Sequence, residues 1–336
     1  MRREITCNDP QSVQFPYQDE IMEGESGQGY VLRMSLLNGL RSVVTIKALL
    51  GKTHAMAFDA NDAPYLAHWF GASEQRLAFA LEQIPLGKRS LGCSYAGHPL
   101  GRSYFLVRSF PRICPDCLEE IGYCRQAWDM ALCVACVRHQ RVLIDVCPLC
   151  TRALSWNRPA MNICTCGNLL VENTEVGQPS CDELLIAHAI DLRIPDGHPA
   201  GGRLSPVPPW SSWGALLQHL SLDGVMRIVF ALATAAAYDF MAPVEPRLRR
   251  AIPKARQTIR MAAGFGHKVA QLEPISLRTH RPSVLIDLLC DFVASAGAED
   301  SSDLSTAQSM LRWLLSNSPK STLHSRHPSL AQLMLF

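Results

Sequence analysis

Apolar residues along positions 26–37 recur at Tyr30, Leu32, Met34, Leu36 and Leu37, and the stretch closes on Asn38-Gly39. This pattern predicts a helix ended by a pair that readily takes a left-handed turn. A short helix is predicted at 42–50. Another is predicted at 73–84, where Ser73 can cap the first turn and Leu77, Leu81 and Ile84 share a face. Short helices with tight turns between them fit a helix-turn-helix domain, and they fit a plain helical bundle equally. Residues 85–110 contain Gly, Ser and Tyr without a clear period, which predicts an irregular connector with one short strand at 104–107.

The second half of the chain has a different pattern. A helix is predicted at 184–191, after Cys181-Asp182-Glu183, and residues 195–209 are rich in Pro and Gly, as expected of a linker or long loop. Residues 212–220, 224–240, 247–263, 284–293 and 304–315 are all helical in period, which predicts an all-helical C-terminal domain. Two glycines at positions 27 and 29 weaken the first turn of the first helix by about 1 kcal/mol each relative to Ala, so its start is expected to be delayed.

Composition narrows the class only slightly. The chain has 336 residues, 48% hydrophobic and 18% charged, with a net charge of +2, which fits a globular protein of about two domains and excludes a disordered one. The first ten residues lack the apolar core of a secretory signal, and the longest largely apolar run, 228–238, is too short to span a bilayer. Neither secretion nor a membrane span is expected. Nine of the thirteen cysteines fall between 114 and 166, which fits bound metal in a reduced, cytoplasmic compartment better than a disulfide scaffold.

The cysteine spacing carries the chemistry. Cys114, Cys117, Cys136 and His139 read as CxxC, eighteen residues, CxxH; Cys147, Cys150, Cys164 and Cys166 read as CxxC, thirteen residues, CxC. Each set saturates one tetrahedral zinc ion, so two ions are expected, with no open position for an activated water. For the first ion Cys133 is a rival ligand. It forms CxxC with Cys136, is separated from Cys117 by fifteen residues, and on spacing alone stands level with His139. Cys124 is a spare thiol nearby.

Other motifs fail. Gly51-Lys52-Thr53 ends like a phosphate-binding loop, but Ile46 stands where its first glycine is required, and no histidine supplies the His-x-Glu of a zinc deaminase. Between 247 and 281 nine basic residues face one acid, Glu273. Arg247, Arg249, Arg250, Lys254, Arg256 and Arg260 are therefore candidate contacts to phosphates or an acidic partner, with a solvated helix face as the alternative. Around the cysteines eight arginines outnumber five acids, yet two zinc-thiolate centres of about −1 and −2 cancel that excess. Trp128, Trp156, Trp210 and Trp213 read as core or interface anchors.

Taken in order, the run from Ile113 through Cys114-Pro115-Asp116-Cys117 to Trp128, then Cys136-x-x-His139, Leu143, Cys147-x-x-Cys150 and Cys164-x-Cys166-Gly167, resembles the TniQ family. Gly24-Glu25-Ser26, Tyr30 to Arg33 and Asn38-Gly39 resemble its opening motif, so the likeness covers about residues 20–170. The chain departs from the pattern at Gly27-Gln28-Gly29, in place of Leu-x-Ser, and at Thr151, in place of a glycine. The second change bears on the turn of that knuckle rather than on its ligands.

The resemblance implies Cys136 and His139 as ligands of the first ion. It also implies a mainly α fold with small zinc-ribbon modules: a helix-turn-helix-like domain at 1–110, tandem zinc modules at 111–172, a linker and short helix at 173–210, and a helical domain at 211–336. The implied role is that of a non-enzymatic, DNA-binding transposition factor of the TniQ or TnsD type. Such a factor selects a target, either DNA or a target-bound complex such as a CRISPR effector, and recruits an AAA+ ATPase, in some relatives as a homodimer. The competing expectations are a zinc-containing helix-turn-helix transcription regulator and a zinc-dependent enzyme.

Overall fold

The computed structural model describes residues 14–53, 56–84, 92–170, 178–194, 212–236, 251–270, 282–295 and 301–317. In chain order its elements are α1 (Gly27–Leu37), α2 (Val44–Leu49), α3 (Ala63–Phe70), α4 (Glu74–Phe79), β1 (Cys93–Tyr95), β2 (His98–Leu100), α5 (Pro115–Ile121), β3 (Ala135–Cys136) and β4 (Arg141–Val142), followed by six helices. These are α6 (Cys181–Asp191), α7 (Ser212–Gln218), α8 (Leu222–Ala236), α9 (Ile252–Ala270), α10 (Pro282–Ser295) and α11 (Ser301–Asn317). The fold is mainly α, and no described helix is long and apolar enough to cross a membrane.

The chain divides into two compact units. The first comprises Met1–Met130, Val142–Gly177 and Ile194–Gly201, the second Ala131–Arg141, Gln178–Arg193 and Gly202–Phe336. The core of the first unit is built on α1, whose Tyr30, Val31, Leu32 and Met34 are fully buried with Phe58, Leu66, Trp69, Phe70 and Leu77. Phe70 stacks on Phe15 at 5.2 Å and meets Tyr30 edge-on at 6.0 Å.

Helix α1 begins at Gly27, capped by the Ser26 hydroxyl, and is not delayed by its glycines. Close packing explains why. A Cβ on Gly27 would lie 2.6 Å from the Ala80 carbonyl oxygen and 2.6 Å from Leu81 Cδ2, and one on Gly29 would lie 3.0 Å from Cys124 Cβ. Small residues let the helix approach its neighbours, and this outweighs their weak propensity.

The predicted helix at 73–84 ends at Phe79. Beyond it Glu82 bridges to Asp59 and Gln83 to Ser94, so the backbone there is spent on strand-like pairing and Ile84 is 53% exposed. Helix α3, absent from the sequence expectation, precedes it. Pro64 sits in its first turn, and it ends on Gly71 in the left-handed region at φ 73° before Ser73 caps α4.

The predicted strand at 104–107 is instead a 3-10 turn, Ser103–Phe105, after which Leu106 makes a single bridge to Met130. One rung is all that segment pairs. The strands lie earlier, in the connector, where β1 and β2 pair antiparallel with Cys93 opposite Leu100 and Tyr95 opposite His98. Their turn residues Ala96 and Gly97 have φ 51° and 75°, the handedness that suits a tight hairpin.

In the second unit α8 packs along α9, and α10 packs against α8 and α11. Helix α6 starts with a reciprocal cap between Ser180 and Glu183, three residues before the predicted start. Helix α8 starts at Leu222 because Asp303 accepts from the Ser221 backbone N–H at 2.7 Å and from its hydroxyl, fixing the turn that precedes it. Arg193 gathers the carbonyls that end α7, donating to Leu217 at 3.0 Å, Gln218 at 3.1 Å and Leu220 at 2.7 Å. Trp213 is fully buried and donates to Asp182 at 3.1 Å; Trp128 and Trp156 are buried in the first unit, and Trp210 lies outside the described residues.

Candidate metal centres

Cys114 is the residue before α5, Pro115 occupies the first turn of that helix, and Cys117 follows one turn on. Proline is suited to that position because its fixed φ is helical and its missing N–H is not needed there. The chain leaves α5 through Gly122, a left-handed glycine at φ 74°. It presents Cys136 at the end of β3 and His139 in the turn before β4. Gln140 takes φ 48° to close that turn.

The ligand atoms of Cys114, Cys117, Cys136 and His139 lie within 4.8 Å of one another, and the three cysteines are fully buried. Cys136 Sγ is 3.6 Å from His139 Nδ1. Around a tetrahedral zinc with bonds of about 2.3 Å to sulfur and about 2.05 Å to nitrogen, the sulfur–nitrogen edge is about 3.6 Å. The rival Cys133 is buried with its sulfur 3.7 Å from the Ala135 carbonyl, and it is not part of this group.

The second group is Cys147, Cys150, Cys164 and Cys166, again within 4.8 Å. Cys147 and Cys166 sulfurs are 3.7 Å apart and those of Cys150 and Cys164 are 3.8 Å apart. A disulfide requires about 2.05 Å, whereas the edge of a tetrahedron with bonds of about 2.3 Å is about 3.8 Å. Both pairs have the spacing of ligands around an ion. Thr151 closes the first knuckle at φ 55°, donating its N–H to the Cys147 carbonyl at 2.9 Å, and Gly167 closes the second at φ 86° with its N–H on Cys164.

Charge around this second centre is arranged by arginine. The backbone and side chain of Arg152 both donate to Cys150 and hold its thiol down, at about 6. Arg158 is fully buried, over the Trp156 ring at 5.7 Å, and donates to the Ala160 carbonyl at 3.0 Å and to Cys124 Sγ at 3.9 Å. Burial pushes the Cys124 thiol up, to about 12, so the spare cysteine stays neutral. The two clusters are suited to zinc.

The basic set is not gathered into one site. Arg247, Arg249 and Arg250 lie outside the described residues. On α9, Arg256 donates to Glu183 at 2.7 Å and to the Gln178 carbonyl at 3.2 Å, Lys254 reaches Gln257 at 3.3 Å, and Arg260 is exposed. Arg256 therefore fastens α9 to α6. Pro253 stands in the first turn of α9, which starts at Ile252, an end of a helix that proline tolerates; residues 247–250 of the predicted helix lie outside the described residues.

Spacing did not expose a buried carboxylate network at the foot of α1. Asp129 accepts from the Ser26 and Tyr95 hydroxyls, both at 2.6 Å, while Gly24, Glu25 and Ser26 pair with Cys124, Arg125 and Gln126 through backbone bonds and a bridge. Glu25 and Asp19 hold Arg33 at 2.8 and 2.7 Å. The Gly-Glu-Ser motif was the only sequence signal for this network. In the failed phosphate-loop motif, Lys52 is paired with Asp59 at 2.9 Å and Asp62 at 2.8 Å.

No curated protein matches the chain. Residues 16–143 match the family model TniQ, a span that contains the ligands of the first cluster and stops short of Cys147. The likeness expected to about residue 170 is thus matched only to 143. The chain carries a domain of the TniQ family, which is associated with transposition.

Proposed function

We propose that the protein is a non-enzymatic adaptor that selects the target of transposition and recruits an AAA+ ATPase. The supporting observation is the TniQ match over residues 16–143, laid on a chain whose metal-ligand groups each hold four donors. In this reading each group binds one zinc ion, with Cys114, Cys117, Cys136 and His139 on the first and Cys147, Cys150, Cys164 and Cys166 on the second. Four protein donors per ion leave no position for a reacting water, so the ions organise structure.

The modules at 111–172 would then tie the helix-turn-helix-like region at 1–110 to the helical domain beginning at 211, with 173–210 as the connection. The target is DNA or a target-bound complex, reached in the cytoplasm, and a homodimer would present two such surfaces. Of the candidate basic contacts on α9, the internal ion pair of Arg256 leaves Lys254 and Arg260 for such a surface.

Affinity capture of the AAA+ ATPase encoded beside the matching transposase tests this function. Stoichiometric, nucleotide-dependent retention is expected. Absence of retention together with tight binding to one DNA sequence would replace the adaptor with a transcription regulator.

A further inference from the structure

Arg158 is a fully buried cation whose Nη1 has no hydrogen-bond partner among the described residues. Its Nε donates to the carbonyl of Ala160, which bridges to Ile163 beside Cys164, and its Nη2 reaches Cys124 Sγ at 3.9 Å; among the described residues the ionisable groups acting on it are these two cysteines. Cys124 is a neutral thiol, as its burial dictates. That leaves Cys164, a member of the four-cysteine group, as the partner that can carry charge. A buried guanidinium short of partners costs several kcal/mol, which the Trp156 ring and the Ala160 carbonyl offset in part and negative charge on the Cys164 sulfur would offset further.

Four thiolates around a divalent zinc carry a net charge of about −2. Arg152, exposed and hydrogen-bonded to Cys150, supplies one positive charge that solvent screens, and Arg158 supplies one that solvent does not reach. The sum is zero. We propose that Arg158 is the buried counter-cation of the four-cysteine centre: it strengthens metal retention there while destabilising the metal-free protein. This rests on the two-zinc reading above.

The full chain tests it, with Arg158→Met, Arg158→Lys and Arg152→Met measured against wild type. Zinc content of the wild type comes first: two ions per chain are expected, and an empty four-cysteine group overturns the two-zinc reading itself. Competition with a chromophoric chelator then reads the affinity of each centre. Arg158→Met is expected to weaken the four-cysteine centre alone by about 10- to 100-fold, the usual effect of losing an outer partner of a metal ligand. Arg152→Met is expected to change it by less than about threefold because that charge is screened.

Arg158→Lys keeps the charge and should retain most of the affinity; a loss equal to that of Met would mean a packing role and overturn the proposal. With cobalt in the centre, the sulfur-to-metal charge-transfer band should move to lower energy in Arg158→Met, since a thiolate without its counter-cation gives up electrons more easily. An unmoved band overturns it. If Arg158→Met does not fold with metal, the stripped proteins still decide: metal-free Arg158→Met should resist urea better than metal-free wild type, and the reverse order refutes the proposal.

Discussion

Thr151 holds a left-handed conformation that a β-branched side chain disfavours, at φ 55°, because its N–H must reach the Cys147 carbonyl to close the knuckle. The strain is of order 1–3 kcal/mol and a glycine would relieve it, less the entropy that glycine loses on folding. Thr151→Gly is expected to raise stability by about 1 kcal/mol in zinc-loaded urea unfolding, and a destabilised variant would show that the Thr151 hydroxyl bond to the Cys150 carbonyl outweighs the strain. Asp129 makes a second prediction at this scale. Burial raises its carboxyl to about 7, against the hydroxyls of Ser26 and Tyr95 and the charge of Arg112, which lower it. Between about pH 4 and 7 the folded state therefore holds a proton that the unfolded state releases, and this group's contribution falls as pH rises through that window. The stability difference between pH 5.5 and 8 should shrink toward zero for this term in Asp129→Asn, measured with zinc in excess; an unchanged difference would place the titration elsewhere.

At the scale of elements, α1 depends on contacts that hydrophobic period does not report. Its start is set by Ser26, which caps the helix and donates to Asp129, and by glycines that admit the Ala80 carbonyl and Cys124. Ser26→Ala should cost about 2 kcal/mol, combining the cap with a lost donor to a buried carboxyl. Gly27→Ala should cost about 1–3 kcal/mol through overpacking, both read as shifts of the unfolding midpoint. The same facts explain what could be read in the chain and what could not. The helices at 212–220, 284–293 and 304–315 were legible because one face of each is buried and the period survives, whereas the one at 26–37, buried on nearly every side, was legible from its apolar residues and its Asn38-Gly39 stop. The overextension of α4 past Phe79 came from Leu81, which is buried at 1% exposure but belongs to an extended segment. The β1–β2 hairpin was hidden because Ala96-Gly97 is not a strong turn pair. Ligand spacing was informative, since local knuckles gather cysteines without help from distant sequence. Arg158 was not, because its complete burial, which it shares with Arg112 among the eight arginines nearby, leaves no mark in residue spacing.

For the whole molecule, folding and metal are one equilibrium if the two groups bind zinc as proposed. A strong chelator, or a pH low enough to protonate the thiols, should remove both ions and lower the unfolding midpoint of the chain well beyond the effect of any single substitution above. Retention of a cooperative transition at the same midpoint in metal-stripped protein would contradict this. The two centres should not respond alike to peroxide, however. In the first, all three sulfurs are fully buried; in the second, Cys166 is exposed and Cys150 partly so. Peroxide attacks thiolates that solvent reaches, carrying them to the sulfenic acid, which no longer holds zinc as a thiolate does. With zinc on both groups as proposed, oxidative stress should empty the four-cysteine centre early and the other late, and released zinc followed over time should appear in two steps.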